Sequence, residues 1–395
     1  MLDVFYAWGA QDINHGFHYS VLLKWVKIVS AADIYERLRE KISSWPVRVP
    51  KTKEVDEMLR VLFTEEEAEF LTHFTAPYQD GQTFDQIAEK IEKRREKVQA
   101  IVDRLVSRGL LFKFASKRDN MVYYTLMPLI PGIFEFYFSS GRDSDEKRKV
   151  AELFEKYYMN GFGMEIGASN YPAMRVMPVE KTITLDSKIN AELSIFPFEK
   201  MSEFIATSRK IAVINCACRT KKKCIHPLET CVVFDASAEF MVERGFGRYL
   251  SVEEALELLE KTEKAGLVHC AMNTQTKPQF ICNCCTCACL GLRSLVELHN
   301  PRAFAKSNFL PLRDDEICTK CKRCVTICPF KANVYHPEHD SYPEKIAFLQ
   351  ERCVGCGLCA YHCPNGAIKL VKVGDQLPEK TPREMWVRVE AERVH

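Results

Sequence analysis

The chain has 395 residues, of which 47% are hydrophobic, so it is long enough for two or three domains with cores of their own. Its 55 Lys and Arg residues nearly balance its 53 Asp and Glu residues, which argues against a general affinity for nucleic acid or anionic membranes. The sequence shows no run of about 18 apolar residues, as a membrane span requires, and no signal-peptide pattern at its start. We therefore expect a cytoplasmic protein.

The N-terminal residues 1–50 predict a helical segment. Amphipathic patterns run near Tyr19–Val29 and over Ala31–Ile42, and Pro46 and Pro50 then interrupt the helical periodicity. We expect this segment to precede a separate domain that begins near residue 51.

Residues 51–130 predict three helices followed by a two-stranded hairpin. Thr64 and Thr83 each begin a capping box, with a Glu or Gln three residues later. A longer helix over residues 93–109 has one apolar face, which consists of Val98, Ile101, Val102 and Leu105. This order of elements resembles a winged-helix domain, which implies binding to DNA or to a protein partner. Acidic residues beside the basic helix favour the protein partner.

The most unusual feature of the chain is its cysteine content. All 18 cysteines lie between Cys216 and Cys363. They fall within a predicted central domain, residues 131–310, and within the segment that follows it. Without a secretory leader, reduced thiolates that bind metal explain such a cluster better than disulfides do.

Two closely similar motifs lie near the C-terminus, "CTKCKRCVTICP" from Cys318 and "CVGCGLCAYHCP" from Cys353. Both follow C-x2-C-x2-C-x3-C-P, and over residues 311–372 the chain resembles the bacterial two-cluster ferredoxins. The resemblance implies two [4Fe-4S] clusters, each with three cysteines from one motif and the fourth from the other. One cluster would then take Cys318, Cys321, Cys324 and Cys363, and the other Cys353, Cys356, Cys359 and Cys328.

Two glycines of the second motif, Gly355 and Gly357, permit a tight backbone that offers N–H groups to a cluster, and we predict them as cofactor-binding residues. A pair of zinc knuckles is the alternative, but zinc sites seldom use cysteine triplets that end in C-P. The two motifs are separated by 24 residues, Pro329–Arg352, for which we predict a cover over a cluster or a docking surface.

The central cysteines form a second group, in "CACRTKKKCIHPLETC" and "CNCCTCAC". One or two further iron–sulfur clusters are the favoured hypothesis, and a structural zinc site is the alternative. Nine cysteines are candidate ligands, namely Cys216, Cys218, Cys224, Cys231, Cys282, Cys284, Cys285, Cys287 and Cys289. We predict that the first four share one site. Cys270 stands apart and suits a core thiol.

Alternation along an extended chain would place Cys285, Cys287 and Cys289 toward one metal, and Cys282 and Cys284 toward another. For the basic run Arg219–Lys223 we expect a solvated loop rather than a cationic rim beside a cluster. We expect ordinary hydrogen-bonded side chains, not metal ligands, for His226 and His269.

These observations predict a multi-domain α+β protein, with a helical and winged-helix-like N-terminal region, a central Cys-rich α/β domain over 131–310, the ferredoxin-like domain over 311–372 and a polar, loosely packed tail over 373–395. The central segment also resembles domains of iron–sulfur proteins of anaerobes that carry a C-terminal ferredoxin. The resemblance implies electron transfer, within a larger oxidoreductase complex or with a redox partner protein. Two alternatives remain: a redox-responsive winged-helix regulator, and a self-contained reductase with an unusual central cluster.

Overall fold

The computed structural model describes residues 33–116, 118–184, 195–276, 278–340 and 343–394. These residues form two compact units. The first contains the described residues up to Tyr137 together with Arg142–Glu165, and the second contains Phe138–Gly141 and the residues from Ile166 onward. None of the helices within the described ranges is both long and apolar enough to cross a membrane.

The first unit is mainly helical. Its helices are α1 (Ile34–Ile42), α2 (Lys53–Leu62), α3 (Glu65–Thr72), α4 (Phe84–Lys90), α5 (Arg95–Ser107), α6 (Phe134–Phe138), α7 (Asp145–Tyr157) and α8 (Gly163–Glu165). Strands β1 (Phe112–Ala115) and β2 (Val122–Thr125) pair as an antiparallel hairpin after α5. The helices begin where the sequence predicts, because both capping boxes, at Thr64 and Thr83, are formed.

The predicted order of helices and hairpin is present, and the apolar face of α5 is buried as expected. The unit extends further than the expected boundary at residue 130, because α7 packs against α2. The predicted helical stretch at Tyr19–Val29 lies outside the described residues.

The second unit contains a six-stranded sheet in the order β3-β8-β9-β6-β5-β7. Its strands are β3 (Met174–Val176), β5 (Ile211–Asn215), β6 (Glu229–Phe234), β7 (Gly247–Leu250), β8 (Val268–Met272) and β9 (Phe280–Cys284). Every neighbouring pair is antiparallel, so the expected α/β character of the central domain is wrong. An α/β domain implies parallel neighbouring strands, whereas each pair of neighbouring strands in this sheet runs in opposite directions.

The two faces of this sheet differ in chemistry. One face is apolar and packs against α9 (Met201–Thr207) and α12 (Val252–Lys264), through residues such as Val213, Val232 and Ile281. Ser251 has Glu254 three residues later, which is the sequence pattern of a capping box, and α12 begins there with the box formed. The other face carries cysteines, and α13 (Leu290–Val296) packs against it; α10 (Ala217–Lys221) and α11 (Asp235–Glu243) follow β5 and β6 along the chain. Helices α9 and α12 thus cover the apolar face, and the opposite face presents the thiols.

The ferredoxin-like segment is built on two paired strands. Strand β10 (Phe309–Arg313) pairs antiparallel with β13 (Ile368–Lys372), and β13 pairs parallel with the short β4 (Ile183–Thr184). The insertion between the motifs forms a hairpin of β11 (Asn333–His336) and β12 (Lys345–Phe348). Short helices α14 (Arg323–Ile327) and α15 (Leu358–Tyr361) follow the first two cysteines of each motif and contain the third. Two buried side chains, Lys372 and Glu199, form an ion pair at 2.9 Å.

The C-terminal segment is packed, contrary to the expected loose polar tail. Helix α16 (Pro382–Ala391) begins with a capping box at Thr381. Met385 and Val389, one turn apart on this helix, are buried against Tyr171 and Met272. Two apolar residues at this spacing are enough to dock an otherwise polar helix.

Candidate metal centres

Four thiols surround a cavity in the first half of the ferredoxin-like segment. The cavity encloses about 320 Å³, part of it open to solvent. Its cysteines, which we call site A, are Cys318, Cys321, Cys324 and Cys363. Three come from the first motif and one from the second, as the resemblance to ferredoxins implies. Cys324 is buried and Cys321 is exposed, so site A lies at the protein surface.

A second cavity of about 360 Å³ has the reciprocal composition. Its cysteines, which we call site B, are Cys328, Cys353, Cys356 and Cys359. Gly355 and Gly357 line this cavity with φ angles of 73° and 81°, in the left-handed region that favours glycine. The Gly355 N–H donates a hydrogen bond to the Cys353 sulfur at 3.4 Å. The four thiols and this N–H···S contact fit an iron–sulfur cluster.

The two sites are neighbours. Cys324 of site A and Cys359 of site B belong to one buried apolar cluster. Burial, and then the charges of Cys353, Cys328 and Cys324, raise the pKa of Cys359 to about 12. A thiol with so high a pKa becomes a stable thiolate only when a metal ion balances its charge.

The antiparallel register of the large sheet gathers cysteines that are far apart in sequence. Cys270 in β8 lies directly opposite Cys282 in β9, and Val232 in β6 lies opposite Ile281. Cys231 therefore faces Cys282 in the next pair along. Because residues two apart in a strand share a face, Cys284 lies on the same face as Cys282.

Six central thiols form a closed ring in which each influences the pKa of its two neighbours. In order, the six-cysteine ring consists of Cys216, Cys218, Cys289, Cys284, Cys282 and Cys231. Hydrogen bonds from Cys218 and Cys231 lower the pKa of Cys216 well below its usual value. The other five have raised pKa values. A buried ring of this kind offers enough soft donors for an iron–sulfur cluster.

Cys270 lies beside the ring but differs from its members. Its thiol influences the pKa of Cys284 and donates a hydrogen bond to the carbonyl oxygen of Val268 at 3.7 Å. Burial, and the charges of Cys289 and Cys356, raise its pKa above the ordinary value. This position suits the core thiol that the sequence predicts.

A separate group of four side chains lies beside the ring, with ligand atoms all within 4.8 Å of one another. This Cys3His cluster consists of Cys224, His226, Cys285 and Cys287. The Nδ1 atom of His226 lies 3.6 Å from the sulfur of Cys224 and 3.6 Å from that of Cys287. Cys285 Sγ lies 3.9 Å from Cys224 Sγ and 3.1 Å from Cys287 Sγ. No other group of this kind occurs in the described part of the chain.

Arg219 lies between the two groups of thiols and is 1% exposed, so the expectation of a solvated loop is wrong for this residue. It donates hydrogen bonds to the Asn283 carbonyl at 3.0 Å and to Thr230 Oγ1. It also donates a hydrogen bond to the Cys285 sulfur at 3.9 Å. Burial opposes its charge, but the thiolates of Cys216, Cys231 and Cys284 raise its pKa above the ordinary value. Arg219 thus supplies the positive charge that buried thiolates require.

The structure divides the central cysteines differently from the alternation expected along "CNCCTCAC". Strand β9 ends at Cys284 and the chain then turns, so alternation does not continue. As a result Cys285 and Cys287 join Cys224, whereas Cys289 joins Cys218 and Cys284. Cys224 likewise leaves the group of Cys216, Cys218 and Cys231 that the sequence suggested.

The two histidines of this region have different roles. His226 lies among thiols, which the sequence analysis did not expect, although the C-x-H spacing from Cys224 was a possible signal. His269 fits the expected ordinary histidine, because its ring contacts Asn283 Oδ1 at 2.5 Å and Glu263 Oε1 at 3.4 Å.

Comparison with known families and proteins agrees with the geometry at sites A and B. Residues 317–367 match the 4Fe-4S dicluster domain. This match indicates two [4Fe-4S] clusters in the segment that contains both cavities. The matched segment is a small part of the chain and does not include the six-cysteine ring.

The similar proteins also match over only a small share of the chain. NADH-quinone oxidoreductase subunit I of Pelobacter propionicus is 30% identical over 76 residues, 18% of this chain and 41% of that protein. The archaeal-type glutamate synthase [NADPH] of Dehalococcoides mccartyi is 34% identical over 67 residues, 17% of this chain and 13% of that protein. The pyruvate-flavodoxin oxidoreductase of Trichormus variabilis is 32% identical over 104 residues, 20% of this chain and 9% of that protein.

The chain therefore spans less than half of the length of each of these relatives. No solved structure matches the chain.

Proposed function

We propose that this protein is an electron-transfer component of an oxidoreductase system, in which single electrons move between the ferredoxin-like segment and a third iron–sulfur centre in the six-cysteine ring. Sites A and B would each hold a [4Fe-4S] cluster. Two of the similar proteins described above are named as oxidoreductases, which supports a role of this segment in electron transfer. When bound, such clusters supply one-electron redox chemistry. The chain supplies the ligands, their burial and the hydrogen bonds that tune them.

The observation that carries this proposal is the continuous apolar packing between site B and the ring. A single buried cluster of side chains includes Cys284 and Cys289 of the ring together with Val354 and Leu358, and Cys328 and other site B side chains pack against it. The charge of Cys356 acts on the pKa of Cys270, which places site B close to the cysteine face of the sheet. Electron tunnelling is efficient only over short distances through packed protein, and this packing supports the proposed path.

The surface at site A suits the exchange of electrons with a carrier protein. Lys322, Arg323 and His362 line an open groove beside Cys321, which is itself exposed. A positive groove over an exposed centre favours a partner with an acidic surface, because opposite charges speed association and orient the complex. We therefore propose that electrons enter or leave at site A.

Metal content and EPR test the proposal on anaerobically purified protein. Sites A and B with a third [4Fe-4S] cluster require about twelve irons per chain, against about eight for sites A and B alone. Cys231→Ser removes a ring member and should lower the count by about four irons while the ferredoxin-type EPR signals remain. Cys270→Ser is the matched control, since Cys270 shares the sheet face but lies outside the ring. Eight irons in the wild-type protein would exclude the third cluster.

A second variant tests the path. Cys356→Ser should disturb site B and leave the central iron in place. It should also slow the reduction of the central centre by a reduced acidic ferredoxin, observed by rapid-freeze EPR. Unchanged central reduction would mean that electrons reach the ring by another route.

A further inference from the structure

We infer that the Cys3His cluster of Cys224, His226, Cys285 and Cys287 is a mononuclear zinc site, distinct from every iron–sulfur centre of the protein. The matched dicluster domain spans residues 317–367 and does not include these four residues. The inference is independent of the proposed electron path, because it concerns a metal that does not change its oxidation state.

The distances between the ligand atoms favour a single ion. Bond lengths of about 2.3 Å for Zn–S and about 2.0 Å for Zn–N in a tetrahedron place sulfurs about 3.8 Å apart and a sulfur about 3.5 Å from the nitrogen. The observed separations are 3.9 Å for Cys224 and Cys285, and 3.6 Å from the His226 nitrogen to two sulfurs. The sulfurs of Cys285 and Cys287, at 3.1 Å, would separate by about 0.7 Å on binding the ion.

An iron–sulfur cluster would require a different arrangement. The ligand atoms of a [4Fe-4S] cluster bind four different irons, so they lie much further apart than atoms that share one ion. All four ligand atoms here lie within 4.8 Å of one another. Three thiolates with one imidazole are a common donor set of structural zinc, and all four coordination positions are filled by the protein.

The site joins the two segments that carry the ring cysteines. Cys224 and His226 belong to the loop between α10 and β6, whose ends carry Cys218 and Cys231. Cys285 and Cys287 belong to the turn between Cys284 and Cys289. A zinc ion bound by both pairs would therefore hold this loop and this turn together beside the ring and beside Arg219, which lies 3.9 Å from Cys285 Sγ.

Zinc analysis of the same purified protein tests the inference, with iron measured in parallel. We expect about one zinc per chain, and X-ray absorption at the zinc edge should show three sulfurs at about 2.3 Å and one nitrogen at about 2.0 Å. His226→Ala should reduce zinc to near zero, whereas the iron of sites A and B remains. His226→Cys should retain the zinc with four sulfur ligands. His299→Asn, at an exposed histidine, is the matched control and should retain one zinc.

Three results would overturn the inference: wild-type protein without zinc, zinc that remains in His226→Ala, or a zinc edge that shows four sulfurs in the wild-type protein. Loss of iron but not zinc in Cys287→Ser would instead assign that thiol to a cluster. If the ring holds no third cluster, the protein would contain about eight irons per chain and still about one zinc. The iron count therefore tests the electron path, and the zinc count separately tests this inference.

Discussion

Gly355 offers a sharp test of the geometry at site B. It lies between two proposed ligands, Cys353 and Cys356, and its φ of 73° is unfavourable for any residue with a Cβ atom. In Gly355→Ala the added Cβ would overlap Ser307 Oγ and the carbonyl oxygen of Phe309. The carbonyl belongs to the backbone of β10 and cannot rotate away, so the cysteine loop itself must move.

The cost has two parts. A left-handed backbone costs an alanine about 1–2 kcal/mol, and forced overpacking typically costs about 1–3 kcal/mol. Together they lower the free energy of unfolding by roughly 2–5 kcal/mol, and the displaced loop no longer presents Cys353 and Cys356 correctly. We expect Gly355→Ala to lose about four irons per chain, the content of one [4Fe-4S] cluster.

Gly366→Ala is the matched control. Gly366 has a similar φ of 65° in the same segment, but no heavy atom lies within 4 Å of its added Cβ. This variant should lose only the backbone contribution of about 1–2 kcal/mol and keep its iron. Iron and sulfide analysis of both variants, with thermal unfolding, is the assay. Equal iron content in the two would refute the steric reasoning for site B.

Three further predictions concern other parts of the chain. Glu199→Gln should lower the free energy of unfolding by about 2 kcal/mol, since it removes the buried one of the two carboxylates, Glu199 and Asp375, that each lie 2.9 Å from the buried Lys372; a change below about 1 kcal/mol in thermal unfolding would contradict this. Lys322→Glu should slow electron exchange with an acidic ferredoxin about 3- to 10-fold at low salt, and less at high salt. Lys149→Glu is the control and should not slow the exchange. An effect of Lys322→Glu that does not depend on salt would argue against a charged docking surface. In fluorescence anisotropy, the full chain should bind duplex DNA only with the micromolar or weaker affinity of non-specific contacts, roughly 10⁻⁴–10⁻⁶ M, and nanomolar binding would revive the regulator hypothesis.

The DNA prediction follows from how α5 and its flanks are paired in the first unit. Lys97 contacts Glu66 at 2.9 Å, Arg104 contacts Glu67 at 3.0 Å, and Arg95 pairs with Asp85. These carboxylates neutralise much of the charge that a recognition helix would present to phosphate groups. The winged-helix-like order of elements therefore suits contact with a protein better than contact with DNA.

The sequence by itself determined the local features. The ferredoxin-like motifs were identified from their spacing because three ligands of each set lie within one short loop. The capping boxes at Thr64, Thr83 and Ser251 were also identified correctly, because each depends on residues only three positions apart. The apolar face of α5 follows from helical periodicity alone.

Only the tertiary structure decided how the central cysteines divide. Cys224 and Cys285 are 61 positions apart, and they meet because strands β6 and β9 are neighbours in an antiparallel register. A one-residue change of register would turn Cys282 and Cys284 toward the opposite face. The turn after Cys284 ends the alternation that the sequence suggested, and it separates Cys289 from Cys287.

The packing of long-range partners was equally hidden from the sequence. Arg219 reads as part of a basic, solvated run, yet the fold buries it beside thiols whose negative charge stabilises its guanidinium group. His226 reads as an isolated histidine until Cys287 is brought to it. Spacing reveals ligands that share a loop, but ligands that different strands bring together are defined by the register of the sheet, which is a property of the whole domain.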